Sequence, residues 1–487
     1  MAPKKTLTDY ERRRLENIKR NDQMMASLKL RSLALSATAK RQRIEAKTYK
    51  TSPEKKPKPE TPVVVRRSLR ARGIPPDSSG KEGVENAASQ SPSPESSPQK
   101  LGPLKMREVY LGKSGDESLI SLIRSEAAMM EWGKPGQAGG DGGLGFDLGS
   151  LALEAENVAR IMSGKILNVR FFPCVERTIV VAGNKSGNLS IWDVDCGDEG
   201  GNGVYPYHPH AGPVSGISIQ PSALSKVFTS SYDGQIRLMD VEKESFDLLY
   251  SSDECIFSLA QQPNDVNSLY FSEARGELDL FDIRASKSSS SWILHTERIN
   301  TIDFNPENTN LMATSSSDDT ACIWDLRSIN AGSSNYLKKI DLKRSCHSAY
   351  FSPSGNRLAT TSVNNCVAVL SGDDYKDTST FYHNNRTGRW LSGFRAIWGW
   401  DDSHLFIGNM GRGVDVISTT DGKTVTLESS NMTAIPCRFA AHPFKVGALA
   451  AATSGGQVYL WTSKVSNADC SLLKRSPSMD VTTLEKC

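Results

Sequence analysis

Residues 311–327 read LMATSSSDDTACIWDLR. An apolar start passes into Ala, Thr and Ser, turns at Asp318-Asp319, and resumes as a second apolar run ending in Trp324-Asp325. That is the pattern of two short strands joined by a tight polar turn. Working outward, the same ending recurs as NLSIWDV (188–194), QIRLMDV (235–241), ELDLFDI (277–283), TACIWDL (320–326), CVAVLSG (366–372), GVDVIST (413–419) and QVYLWTS (457–463). Taking Asp193, Asp240, Asp282, Asp325, Ser371, Ser418 and Thr462 as equivalent, the spacings are 47, 42, 43, 46, 47 and 44 residues.

A period near 45 with four short strands per unit is the signature of the WD repeat, and seven copies predict an all-β, seven-bladed WD-repeat β-propeller. The fifth and sixth copies lack Trp-Asp but keep the period, so they read as worn repeats of the same domain. One such unit exposes both faces of a small sheet, and stability requires neighbours packed in a ring. Closing the ring takes a strand from the far end of the chain. Residues 156–162 (ENVARIM), directly before the first repeat, are placed to complete the last blade and remove its open edge.

The 487 residues carry a net charge of +3, a total that hides a division. Residues 1–110 hold 25 Lys and Arg against 12 Asp and Glu, a net of +13, and the remainder holds 33 against 43, a net of −10. A basic arm is attracted to phosphates or acidic protein surfaces, whereas an acidic body holds nucleic acid only through a local basic patch. Within the arm, Thr8 and Glu11 form a capping box ahead of apolar positions Leu7, Tyr10, Leu15, Ile18, Met25 and Leu28, predicting a basic amphipathic helix in residues 1–35. Residues 36–150, rich in Ser, Pro, Lys and Gly, read as a disordered linker, 151–465 as the propeller and 466–487 as a flexible tail.

The nine cysteines are scattered singly, as buried thiols in a reducing compartment are. With no CxxC pair and no metal-spaced carboxylates, no metal site is expected, and His208 and His210 read as loop residues. No apolar run approaches the roughly 18 residues of a membrane span, and no apolar segment follows the charged MAPKKTLTDYERRR, so neither a membrane nor a secreted protein is expected. No phosphate loop, HExxH or GxSxG is present, which predicts a binding protein without cofactors and not an enzyme.

Two features stand out from the repeat. Asp282-Ile283-Arg284 and Asp325-Leu326-Arg327 place an Arg directly after the third strand of consecutive blades, on the lower rim, where a five-donor guanidinium suits a partner's carboxylates or carbonyls. The stretch 311–327, with Trp324, resembles the box by which WD-repeat substrate receptors bind the damaged-DNA-binding adaptor of cullin-RING ubiquitin ligases. The second feature is the polar loop HNNRTGRWL (383–391) entering the sixth blade. The run HNNRTGRWLSGFRAIW resembles, at equal length, the DNA-probing hairpin of the small damaged-DNA-binding subunit, with Gly388, Arg389 and Trp390 at the wedge positions and the aromatic displaced within the hairpin. Arg386, in the same loop, adds to its charge. Lys185, Arg298, Lys343 and Arg344 match or neighbour basic positions on that family's DNA face.

The whole chain is similar to the changed-mutation-rate, or damaged-DNA-binding-type, WD-repeat family. The similarity spans LTDYERRRLENIKRNDQMMASLKL, VVVRRSLRARGIPP, VARIMSGKI and the repeats. It implies a nuclear protein that binds duplex DNA, favours damaged or altered DNA, and associates with chromatin. Arg66, Arg67, Arg70 and Arg72 form a cationic strip suited to DNA phosphates, a narrow minor groove or a nuclear-import receptor. A chromatin scaffold that reads histone tails or gathers proteins, with DNA contacts confined to the arm, remains the alternative reading.

Overall fold

The computed structural model describes residues 101–132, 147–197, 202–263, 265–330, 333–388 and 390–463, together with Glu16, Lys19 and Arg20. The chain divides into two units, Met1–Gln90 and Ser91–Cys487. In the first, the three described residues are helical and exposed. The capping box and apolar positions of the expected helix, the four arginines of the cationic strip, and Arg389 lie outside the described residues.

The second unit contains seven antiparallel sheets, one per sequence repeat. The fourth blade shows the plan: strands Ile299–Phe304, Leu311–Ser316, Thr320–Asn330 and Ser333–Asp341 pair in sequence order. The first strand of each blade packs against the first strand of the next, and Pro436–Ala441 of the seventh packs against Ile166–Phe171 of the first. The ring is therefore closed around an axial channel. Because the strands alternate in direction, the loops entering first strands and those joining second to third strands share one face, here the upper face; the others form the lower rim.

The outer strand of the seventh blade comes from the segment just before the first repeat. Val158–Arg160 pairs with Gln457–Tyr459, and Leu151–Ala152 pairs with Thr462 and Ser463. This is the closure expected for residues 156–162, and it covers the edge that the last repeat leaves open. Across this seam Val169, Val180 and Trp192 of the first blade pack with Ala440, Ala450, Val458 and Leu460 of the seventh.

The boundary expected at residue 150 is corrected by a strap that begins fifty residues earlier. Leu104–Lys105 adds a fifth strand to the second blade through Phe246 and Ser245. Helix α1 (Met106–Val109) follows, and then helix α2 (Glu117–Trp132). Met106, Val109, Leu119, Ile120 and Ile123 are buried in one cluster with Tyr207, Val227 and Phe246. The spacing of Leu119, Ile120 and Ile123 is that of one helical face. Polar groups fasten the strap: Tyr207 donates to Asp116 Oδ2 at 2.9 Å, and the buried Arg237 donates to the carbonyl of Gly102 at 2.9 Å. No helix among the described residues is long and apolar enough to cross a membrane.

Candidate nucleic-acid interface

The Trp-Asp blade is held by a chain of hydrogen bonds. Trp324 Nε1 donates to Thr314 Oγ1 at 2.7 Å, the same hydroxyl lies 2.7 Å from His295 Nε2, and His295 Nδ1 lies 2.9 Å from Asp318 Oδ2. Burial opposes ionisation of Asp318, but hydrogen bonds from His295 and Thr320 outweigh it and hold the carboxyl below its ordinary value. The second blade repeats the device with His210, Thr229 and Asp233, and Met239 stands where the Trp would be. His210 is thus a blade brace. Trp324 is only 1% exposed, so its expected place in a partner-binding box is corrected: a fully packed indole braces the blade and cannot reach another molecule.

The upper face presents the expected cations. Lys185 is exposed at the tip of a turn shaped by buried Asn184, whose Oδ1 accepts from the backbone N–H groups of Ser186 and Asn188 at 2.8 and 2.9 Å. Lys343 and Arg344 are exposed in the loop entering the fifth blade, Lys343 with φ of +59°. Arg298 is exposed in the loop entering the fourth blade; its Nε donates to Ser317 Oγ at 3.2 Å, and its guanidinium carbon lies 5.3 Å from the Phe257 ring centre.

The loop entering the sixth blade has an anchored root and a free tip. His383 and Asn385 are buried, joined at 2.7 Å, and Asn385 Nδ2 donates to the Ser362 carbonyl at 2.8 Å. The chain then turns at Gly388, where φ is +65°. Arg386 is exposed, and Trp390 is 89% exposed. A large aromatic left this far in water on a rigidly rooted loop is available to a ligand and contributes little to the core.

Nearer the axis lies a group that sequence reading missed. Tyr232, Phe257, Arg298, Asn300, His347, Gly393, Arg395 and Arg438 line a cavity of about 160 Å³ at the upper mouth of the channel. Polar side chains at the upper ends of the first strands stitch the blades together here. Asn300 Nδ2 donates to the Cys346 carbonyl at 2.8 Å, and Arg438 Nε donates to the Leu167 carbonyl at 2.9 Å. Burial, reinforced by Arg395, pushes the Arg438 guanidinium below its ordinary value. Burial and then the cations Arg395, Arg438 and Arg298 push His347 down to about 4. Laying the seven first strands in register was the signal available: Asn168, Asn300, His347, Arg395 and Arg438 fall near the upper ends of theirs.

On the lower rim, Asp282 Oδ1 accepts from the backbone N–H groups of Arg284 and Ala285 at 2.9 and 3.2 Å, leaving the Arg284 side chain exposed. Arg327 is also exposed, and it grips Asp325 of its own strand. The two arginines share the rim expected for them; neither bridges to another blade among the described residues. The seven described cysteines are free, and burial pushes the Cys174, Cys322 and Cys346 thiols up to about 12.

This geometry defines a WD-repeat β-propeller protein that exposes Lys185, Arg298, Lys343, Arg344 and Arg386 on its upper face. The WD domain, G-beta repeat family model matches residues 286–325. The β-propeller domain of Cps50 (Swd1) from Myceliophteria thermophila superposes with a TM-score of 0.51 at 13% identity, covering 64% of this chain and all of that one, a likeness of fold. WD repeat-containing protein 76 of Xenopus laevis is 31% identical over 421 residues, 83% of this chain and 71% of that protein. DNA damage-binding protein cmr1 of Neurospora crassa is 26% identical, and CMR1 of Scheffersomyces stipitis 28%, over 95% and 93% of this chain and nearly all of theirs. The chain belongs to the family of WD repeat-containing protein 76 and CMR1, as its resemblance to the changed-mutation-rate family implied.

Proposed function

We propose that this protein is a non-catalytic, nuclear, chromatin-associated binding protein of the DNA damage response that holds damaged or altered duplex DNA against its upper face. The supporting observation is that Lys185, Arg298, Lys343, Arg344 and Arg386 are all exposed on one face of a body whose net charge is −10, and that exposed Trp390 lies in a loop of the same face. The cations hold phosphates, the Trp390 indole tests base stacking, and the basic arm adds sequence-independent attraction. An aromatic wedge meets least resistance where a lesion has already weakened the stack. The CMR1 relatives are named DNA damage-binding proteins, which agrees with this reading. Exposed Arg284 and Arg327, with Asp282 and Asp325 shaping their turns, are the positions at which the damaged-DNA-binding adaptor of a cullin-RING ubiquitin ligase would attach.

The test is duplex binding by the full chain carrying Lys185→Gln, Lys343→Gln and Arg344→Gln together. Each phosphate that the variant no longer neutralises flattens the log–log salt dependence by about 0.9. The expected result is a flatter slope at unchanged melting temperature; an unaltered slope would remove these three residues from the interface.

A further inference from the structure

We propose that the upper mouth of the axial channel is a seat for one phosphate group, built by Arg298, Arg395 and Arg438 around His347. The inference rests on the DNA-binding reading above and adds to it a site at the centre of the face.

Among the described residues three guanidinium groups line this cavity, and no carboxylate does. Arg395 and Arg438 are partly buried here and Arg298 stands exposed at the rim; cations drawn out of water without a counter-charge are costly, and an anion placed among them offsets that cost. Arg438 lies deepest and is committed to the Leu167, Gly393 and Cys437 carbonyls. Among the described residues Arg395 makes one hydrogen bond, to the Asn300 carbonyl at 3.2 Å, and Arg298 makes one, to Ser317. Most of the donors on these two outer arginines therefore remain open to a ligand. Guanidinium forks match phosphate oxygens two at a time. The cavity of about 160 Å³ has room for roughly five waters at ~30 Å³ each, enough for a phosphate group with part of its hydration shell. Tyr232 and Phe257, with ring centres 5.0 Å apart, give the same mouth an aromatic wall on which a sugar or base can rest.

The position of the seat favours the phosphate of a nucleic-acid strand. Lys185 belongs to the first blade, whereas Lys343 and Arg344 lie between the fourth and fifth, on the far side of a seven-membered ring. A straight ligand that touches both groups passes over the axis, where the seat opens.

The full chain is compared with its Arg298→Gln, Arg395→Gln and Arg395→Lys variants. The first probe is inorganic phosphate alone, read as a shift in melting temperature against chloride at equal ionic strength, since a ligand that binds only the folded state stabilises it. The second is duplex DNA over graded salt. Phosphate should raise the melting temperature of the wild type. Both Gln variants should lose that rise, while melting like wild type in chloride, and should show a DNA salt slope flatter by about 0.9. Arg395→Lys, which keeps the charge but not the fork, should fall between. Gln variants that keep both the phosphate-induced rise and the wild-type slope would overturn the seat. Loss of the rise with the slope intact would overturn its assignment to the DNA backbone and leave a site for free phosphate. A wild type that is stabilised by phosphate but does not bind DNA would support the seat and refute the DNA-binding reading.

Discussion

Arg327 closes a two-point pair on Asp325 of its own strand, Nε to Oδ1 at 2.9 Å and Nη2 to Oδ2 at 2.7 Å. The pair is formed on the exposed rim, so it presents a pre-shaped guanidinium to solvent and ties no blade to another. Arg284, one blade earlier, is exposed without such a pair among the described residues. If the lower rim is the attachment point for the ligase adaptor, Arg284→Ala with Arg327→Ala abolishes adaptor capture in a pull-down and leaves melting temperature and DNA affinity unchanged. Exposed pairs of this kind contribute at most about 1 kcal/mol. Full capture by the double variant would remove the adaptor from the account.

Two tryptophans should respond in opposite ways. Trp324→Ala removes a packed indole and orphans part of the Thr314 network, and is expected to cost about 3–5 kcal/mol in denaturant titration. Trp390→Ala should leave stability nearly unchanged and lower affinity for distorted duplex by about 1–3 kcal/mol, the worth of one aromatic–base stack. Equal weakening on intact and distorted duplex would mean that Trp390 does not test the stack.

The arm and the strap are separable by truncation. Removing residues 1–90 should flatten the salt dependence of duplex binding and preserve the melting temperature. Removing residues 1–132 also strips Met106, Val109, Leu119, Ile120 and Ile123 from the core around Tyr207, and should lower the melting temperature sharply. Identical melting of the two truncations would show that the strap adds no stability.

His347 provides a pH signature of the channel mouth. Burial first, and Arg395, Arg438 and Arg298 next, depress it to about 4, against ~6.5 for an unfolded His. The folded protein therefore favours the neutral ring: this contribution to stability is complete above about pH 6.5 and is lost as pH falls through about 4. Wild type should lose stability relative to His347→Gln across that window. A difference that stays constant with pH would mean that neither burial nor the three cations hold the ring neutral.

How much of this was legible follows from where the signal lay. Third strands end in Trp-Asp or its remnants, so the number of blades and the closing strand could be read from spacing alone. Trp390 could be suspected of being exposed from HNNRTGR around it, but only the anchoring of His383 and Asn385 separates root from tip. The strap was hidden because residues 36–105 are so strongly biased in composition that the helical face of ESLISLIRSEAAMMEW just beyond them was absorbed into the linker. Arg395 and Arg438 were missed for a different reason. Arg438 sits in the first strand of the seventh blade and Arg395 just before that of the sixth, far apart in sequence, and only ring closure brings them into one cavity.

The central claim is that the propeller itself, not only its basic arm, holds DNA. It is tested most directly by the affinity of the chain lacking residues 1–90 for a duplex containing a helix-distorting lesion, measured over a range of salt concentrations. Measurable, salt-dependent binding is expected, and it should weaken when Lys185, Lys343 and Arg344 are replaced by Gln, with the melting temperature unchanged. No binding by the folded, arm-less propeller would contradict it and leave a scaffold whose only grip on DNA is the arm.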